Sequence, residues 1–439
     1  MSNFNQLKLK ARRDLGEFRD LESIIKPVQG TGKKTVIVGM DGGSTGSRCL
    51  IVDASDDNNE AALKTIYSIP SNLTITSESC EILPQSDALY ENMDSTILNL
   101  KNGETIFDKV RVLRGTKSSD FNAGTEGINS SVQKLKTPAF YINMLDAIAY
   151  GLIKKYDGKL AQEYDVYVGC SLRPDDIVNK KNREEFLNNF IGSYVWRNLD
   201  LNVNMKINIK GASCQTEPEA AVKGYGVTLN ELPEYIALIE GGGSSIGVEI
   251  LKGGRSVRSA AQTLPYAGAQ LQNTVESLYL EENGGANFTT HDLKMALERG
   301  YFKVGRSTID MVPYVKKAKD SFAKTIMADI KKQVFDRQSE VSIKQLETVL
   351  FSGKLFNGGE FEAVEGDELT SYSLSEPLTE LFKEYNPSAE YEVLKDNLIP
   401  FGNLINALSY YGGYLEEDET QVESQPSVVE EVAPTESVE

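Results

Sequence analysis

Two stretches of the chain carry one pattern. Thr35 to Asp53, T-V-I-V-G-M-D-G-G-S-T-G-S-R-C-L-I-V-D, reads as an apolar strand, a carboxylate, Gly-Gly, small and hydroxylic residues, and a second apolar strand. Residues 235 to 251, Y-I-A-L-I-E-G-G-G-S-S-I-G-V-E-I-L, read the same way. Setting Glu240 on Asp41 puts Gly242 on Gly43, Gly243 on Ser44 and Ser244 on Thr45, with Ser245 following. One such hairpin fits an ordinary glycine-rich turn as well as it fits a ligand site. Two in one register predict two similar halves facing each other across a cleft.

The chemistry follows from the residue types. Small residues in a turn leave backbone N–H groups uncovered, so each hairpin can aim several donors at a phosphate, helped by the hydroxyls of Ser44 and Thr45 and the charge of Arg48. A carboxylate such as Asp41 beside an anionic ligand repels it unless a cation lies between. Asp41 therefore implies a magnesium ion that keeps its own waters.

At 439 residues the chain is too long for one core and suits two domains. We expect an N-terminal extension over 1–34, a first domain over 35–230 with a small insertion over the cleft at about 54–135, a second domain over 231–415 with an insertion at about 266–340, and a disordered acidic tail over 416–439. The extension holds eight Lys or Arg against four Asp or Glu, and Leu15, Phe18, Leu21 and Ile25 recur at helical spacing before Pro27. The tail carries nine carboxylates and no Lys or Arg. A net charge of -18 disfavours direct binding to nucleic acid. No apolar run is long enough to span a bilayer, and the N-terminus lacks the apolar core of a signal peptide, so no membrane partner and a cytoplasmic location are expected. The four cysteines, Cys49, Cys80, Cys170 and Cys214, show no paired spacing and read as free thiols, while the lone histidine, His291, argues against a histidine triad.

Between the hairpins the sequence predicts a helix from Pro138 to Tyr156, a buried strand over 164–170, a charged helix over 179–190 and an edge strand over 203–209. Cys214-Gln-Thr-Glu-Pro-Glu-Ala-Ala then describes a strand end running into a helix, with Glu217 and Glu219 near its N-terminus, where carboxylates complement the helix dipole. After the second hairpin a helical region runs from Gly268 to about 335. A strand over 347–351 enters Ser352-Gly-Lys-Leu-Phe-Asn-Gly-Gly, a turn that suits either a nucleoside lying on the backbone or an ordinary loop. A last helix is expected over 400–415.

Hairpin, Glu-Pro helix, hairpin, glycine turn and final helix, in this order, resemble the actin-like ATPase superfamily, and most closely the ParM-type plasmid-segregation actins. Tyr167 to Pro174, Asn182-Arg-Glu-Glu-Phe186, Glu217 just after a strand, and Asn403 to Gly413 carry the closer resemblance. It spans about residues 35 to 415. It implies an α/β actin-like fold of two similar domains with inserted subdomains around a nucleotide cleft, ATP or ADP as ligand, and Mg2+ held through water by Asp41 and Glu240. Phosphates would lie against Gly43, Ser44, Thr45, Arg48, Gly242, Gly243, Ser244 and Ser245, the adenosine by Gly353 and Lys354, and the attacking water at Glu217, with Asp41 as second catalytic group. The family has Asp where Glu240 stands and a second glycine where Lys354 stands. The resemblance further implies an ATP hydrolase that assembles with itself into filaments and reaches plasmid DNA through a DNA-bound adaptor. A non-filamentous nucleotide phosphohydrolase or small-molecule kinase of the same superfamily is the alternative.

Overall fold

The computed structural model describes residues 32–423, except 44–45, 56–59, 64, 72, 77–92, 102, 116–133, 157–158, 202, 227–232, 243–244, 285–287, 305, 338–339, 354, 357–359, 362–369, 372 and 395–397. The expected helix around Leu15 to Ile25 and the tail from 424 onward lie outside the described residues, as does Cys80.

The first hairpin consists of β1 (Lys33–Gly42) and β2 (Gly46–Asp53), paired from Val36↔Asp53 to Gly42↔Ser47. A short strand, β3 (Tyr67–Pro70), pairs with the free edge of β2. Strands β4 (Leu73–Thr76), β5 (Asp94–Asn99) and β6 (Lys109–Arg114) follow, then helix α1 (Pro138–Tyr156), whose ends are those read from the sequence. Strand β7 (Glu163–Leu172) lies parallel to β1. The short α2 (Pro174–Val178) and the charged α3 (Lys180–Phe190) lead to β8 (Gly192–Asn198) and to β9 (Val203–Thr216), which runs parallel to β7.

Helix α4 (Glu217–Gly226) connects to the second hairpin, β10 (Tyr235–Gly241) and β11 (Ile246–Lys252), which is followed by β12 (Arg255–Ser256) and β13 (Gln262–Leu264). Three helices, α5 (Gly268–Asn283), α6 (Thr290–Arg299) and α7 (Val312–Ile330), occupy the stretch read as a helical region. A small hairpin, Tyr301–Val304 with Ser307–Asp310, interrupts it just after Gly300, which ends α6 in the left-handed conformation. Strand β14 (Thr348–Ser352) is parallel to β10, and after α8 (Ser375–Lys383) strand β15 (Glu390–Val393) is parallel to β14. Helix α9 (Leu398–Glu423) closes the described chain.

The repeat seen in the hairpins therefore extends to whole sheets. Strand order β3-β2-β1-β7-β9 in one matches β13-β11-β10-β14-β15 in the other, with the same parallel and antiparallel senses. Each hairpin's first strand is apolar on both faces because both faces are covered. Val36, Val38 and Met40 of β1 face the cluster that includes Phe140, Leu145 and Ile148 of α1, while Ile37 packs with Leu404 and Ala407 of α9. In β10, Ala237 and Ile239 join the core with Val315 and Ile326 of α7, and Ile236 and Leu238 join Ala220, Ala221 and Ile399. Helices α4 and α9 cross at small residues. A methyl group on Gly402 would lie 1.8 Å from the Ala220 carbonyl oxygen, and one on Gly224 would lie 2.3 Å from that of Leu398.

Two expectations need correction. The strand over 203–209 is not at an edge: β9 runs on to Thr216 and is paired on both sides. Its polar alternation looked solvent-facing, but Asn208 is buried and donates to Glu163 Oε1 at 2.6 Å and Asp165 Oδ1 at 3.0 Å while accepting from Ser193 Oγ at 2.7 Å. The strands within the expected insertion at 54–135 pair into the first sheet. β3 lies at one edge of the first sheet, beside β2, while β5, β6 and β4 extend its other end through β8, held by the buried Arg114 side chain, which donates to Asp146 Oδ2 at 2.9 Å and the Pro70 carbonyl at 2.7 Å. Finally, residues 416–423 are helical where disorder was expected. No Pro or Gly interrupts that stretch, and its Glu and Gln residues are good helix formers.

Candidate functional site

The strands of the two hairpins end in the same register. Pairing ends at Gly42↔Ser47 in one hairpin and at Gly241↔Ile246 in the other, leaving 43–46 and 242–245 as the turns. In the second, the Gly242 N–H donates to the Ser245 carbonyl at 3.1 Å. In the first, a methyl group on Gly43 would lie 2.7 Å from the Gly46 carbonyl oxygen, so the turn closes only over glycine. Asp41 and Glu240 thus occupy equivalent positions, as do Gly43 and Gly242. Ser44, Thr45, Gly243 and Ser244 lie outside the described residues.

What stands opposite each acid differs. Arg48 is the cross-strand partner of Asp41, and Gly247 that of Glu240. Asp41 is buried, and Arg48 donates to its Oδ2 from Nη2 at 2.6 Å and from Nε at 3.1 Å. Arg48, read as a charge for a phosphate, is turned onto the carboxylate facing it. Directly opposed side chains on antiparallel strands are close enough to pair, and a buried carboxylate without a cation is costly.

Gly353 has φ +89°, which only glycine adopts without strain. A methyl group there would lie 2.4 Å from the Gly241 carbonyl oxygen and 2.9 Å from Glu240 Oε1. The glycine turn after β14 therefore rests against the end of β10, fixed by the Leu355 N–H, which donates to the Gly241 carbonyl at 3.2 Å. The first residue of α5 reaches the same place, with the Gly268 N–H 3.4 Å from the Gly242 carbonyl oxygen. Lys354 lies outside the described residues.

Glu217 is the first residue of α4 and is buried. The helix start is capped reciprocally. Glu219 N–H donates to Thr216 Oγ1 at 3.0 Å, and Thr216 N–H donates to Glu219 Oε2 at 3.2 Å. Glu219 thus caps the helix start. A methyl group on Gly247 would lie 3.8 Å from Pro174 and 3.9 Å from Pro218, so the segments after β7 and β9 both meet the strand leaving the second hairpin. Glu217, Glu240 and Gly353 are gathered at the C-terminal ends of parallel strands, where open α/β sheets bind ligands.

Sequence reading missed Asn403 and Gln215 as site-building residues. The buried Asn403 of α9 donates from Nδ2 to the Met40 carbonyl at 2.7 Å and to Ser171 Oγ at 3.0 Å, and it accepts from Gln215 Nε2 at 2.9 Å. It joins the ends of β1, β7 and β9 immediately before Asp41. Two amides, Asn403 and Asn406, inside an otherwise apolar helical stretch, L-I-P-F-G-N-L-I-N-A-L, were the available signal. Cys49 and Cys170 are buried free thiols and Cys214 is half-buried, and burial raises all three above the usual thiol range. Among the described residues no helix is long and apolar enough to cross a membrane.

No protein-family model and no curated protein sequence matches the chain. Solved structures do. The actin-like protein Alp7A superposes with a TM-score of 0.61 at 13% identity, covering 89% of this chain and 100% of that one. The archaeal actin homolog Ta0583 in complex with ADP gives a TM-score of 0.55 at 12% identity over 86% of this chain and 99% of that one. A 15-stranded ParM filament from Clostridium botulinum gives 0.56 at 14% identity over 86% and 99%. By these superpositions the chain has an actin-like α/β fold.

Proposed function

We propose that the protein is an actin-like ATPase that binds ATP with magnesium, polymerises into filaments, hydrolyses the nucleotide, and moves plasmid or similar replicon DNA in the cytoplasm through a DNA-bound adaptor protein. The observation that carries this reading is the pair of acid-Gly-Gly turns in one register, each heading one copy of the repeated sheet, with buried Glu217 at the helix start beside the second. That solved neighbours include an ADP complex and a multi-stranded filament supports nucleotide binding and self-assembly.

The donor set suits magnesium only in one form. Among the described residues no group of three or more His, Cys, Asp or Glu could hold a metal alone. Magnesium, however, is commonly bound by one or two carboxylates with waters and substrate phosphates. Asp41 and Glu240, one from each hairpin, fit an ion that arrives with the nucleotide, and such an ion would neutralise phosphate charge. The protein's own part is positioning and charge. Turn N–H groups hold the phosphates, Arg48 balances Asp41, the Gly353 turn carries the nucleoside, and Glu217 orients or deprotonates the attacking water. Phosphoryl transfer to water needs no covalent nucleophile.

The experiment is to add ATP and magnesium to the purified chain, follow phosphate release, and look for sedimenting polymer by electron microscopy. Polymer with turnover is expected. Turnover without polymer would replace this reading with a non-filamentous phosphohydrolase, and neither would refute it. Tight, specific binding to DNA without an adaptor would refute the partner assignment.

A further inference from the structure

Strand β11 presents alternate residues to helix α4. Gly247 stands by Pro218, and Leu251 packs with Ala220, Ala221 and Val222. Between them, on the same face, is Glu249, with no exposed surface. Its Oε2 accepts from Thr216 Oγ1 at 2.7 Å, and that hydroxyl oxygen accepts the Glu219 N–H at 3.0 Å.

We propose that Glu249 is a positioning residue for hydrolysis: by holding the Thr216 hydroxyl it fixes the start of α4, and so Glu217, to the strand that leaves the second phosphate hairpin. This rests on the assignment of Glu217 to the attacking water. A hydroxyl has one proton to donate and lone pairs to accept with. When its proton goes to Glu249, the oxygen is turned to receive the helix N–H, so the cap and the contact between the two halves are set by one group. An apolar residue at 249 would fill the space between Gly247 and Leu251 without the cost of desolvating a carboxyl group. It would leave the hydroxyl proton without this acceptor. Burial, with a smaller contribution from the nearby Glu219 charge, raises the Glu249 carboxyl to about 7, and both of its protonation states keep an oxygen that can accept from Thr216. Only Gly247 and Val248 separate Ile246, next to the turn, from Glu249, so a phosphate-dependent shift of the turn is passed directly to the helix carrying Glu217.

The test compares steady-state phosphate release and nucleotide affinity in the full chain for wild type, Glu217→Ala, Glu249→Ala, Glu249→Gln, Thr216→Val and Thr216→Ser. Glu249→Ala and Thr216→Val are expected to lower kcat roughly 10- to 100-fold, the effect of a misplaced catalytic group, with KM and affinity within about twofold of wild type. Glu249→Gln and Thr216→Ser, which keep acceptor and donor, should recover most of the rate, and Glu249→Ala combined with Thr216→Val should be no worse than the poorer single variant. An unchanged kcat, a raised KM at constant kcat, or a Glu249→Gln as slow as Glu249→Ala overturns the inference. If Glu249→Ala does not fold, Thr216→Val and Glu249→Gln decide it. Wild type without turnover, or an unaffected Glu217→Ala, overturns the ATPase assignment and this inference with it. Normal behaviour of those two beside an inert Glu249→Ala overturns this inference alone.

Discussion

Asn403 offers the sharpest test of how the site is held together. Its side chain makes three hydrogen bonds, donating to the Met40 carbonyl and Ser171 Oγ and accepting from Gln215 Nε2, and it has no exposed surface. Replacement by Ala removes all three. At about 1 kcal/mol net for each bond, the loss is roughly 3 kcal/mol. The Met40 carbonyl also loses this donor in the interior, which adds about 1 kcal/mol or more, whereas Gln215 Nε2 keeps its bond to the Gly402 carbonyl at 3.1 Å. Asn403→Ala is therefore expected to lower the unfolding free energy by about 3–5 kcal/mol. Asn403→Asp should be at least as damaging, because it sets a buried carboxylate against the Met40 carbonyl oxygen. The control is Asn406→Ala one turn on, half-buried and donating to Ser213 Oγ at 3.0 Å, at a cost of about 1 kcal/mol. Urea unfolding followed by circular dichroism measures all three. An Asn403→Ala cost below about 1 kcal/mol, or equal to that of Asn406→Ala, would refute the view that this amide ties β1, β7 and β9 to the last helix.

Binding and hydrolysis should separate at the helix start: Glu217→Ala is expected to assemble with ATP but release phosphate roughly 100- to 10,000-fold more slowly, leaving polymers that persist in light scattering. Glu219→Ala should turn over as wild type at a cost of about 1 kcal/mol of capping stability, and the reverse pattern would exchange the two roles. Asp41→Ala should lose most magnesium-dependent nucleotide binding, and calorimetry giving unchanged affinity would remove Asp41 from the site. Glu249 makes stability depend on pH. Its folded carboxyl, raised to about 7 from 4.5, keeps a proton that the unfolded chain releases, so stability is lost as pH rises from about 4.5 to 7, by roughly 3 kcal/mol. Thermal unfolding of Glu249→Gln should lack this decline, and a parallel decline in both proteins would show that another group causes it.

The sequence by itself determined the repeated hairpins, their register and the helix from Pro138 to Tyr156, because these are written in local terms: β-branched runs around glycine turns, and a proline start with an apolar face. Glycines at 43 and 353 were legible for the same reason, since a tight turn or a positive φ restricts a position whatever surrounds it. Tertiary structure decided the rest. That Arg48 turns to Asp41 depends on which residue the hairpin sets across from it, and that polar β9 is interior depends on carboxylates brought by β7 and a hydroxyl brought by β8. Asn403 and Glu249 are ordinary polar residues in the sequence. They become site-building only because strands and helices distant along the chain place a Met40 carbonyl, a Gln215 amide and a Thr216 hydroxyl within hydrogen-bonding distance, and a buried polar group takes its role from the partner the fold supplies.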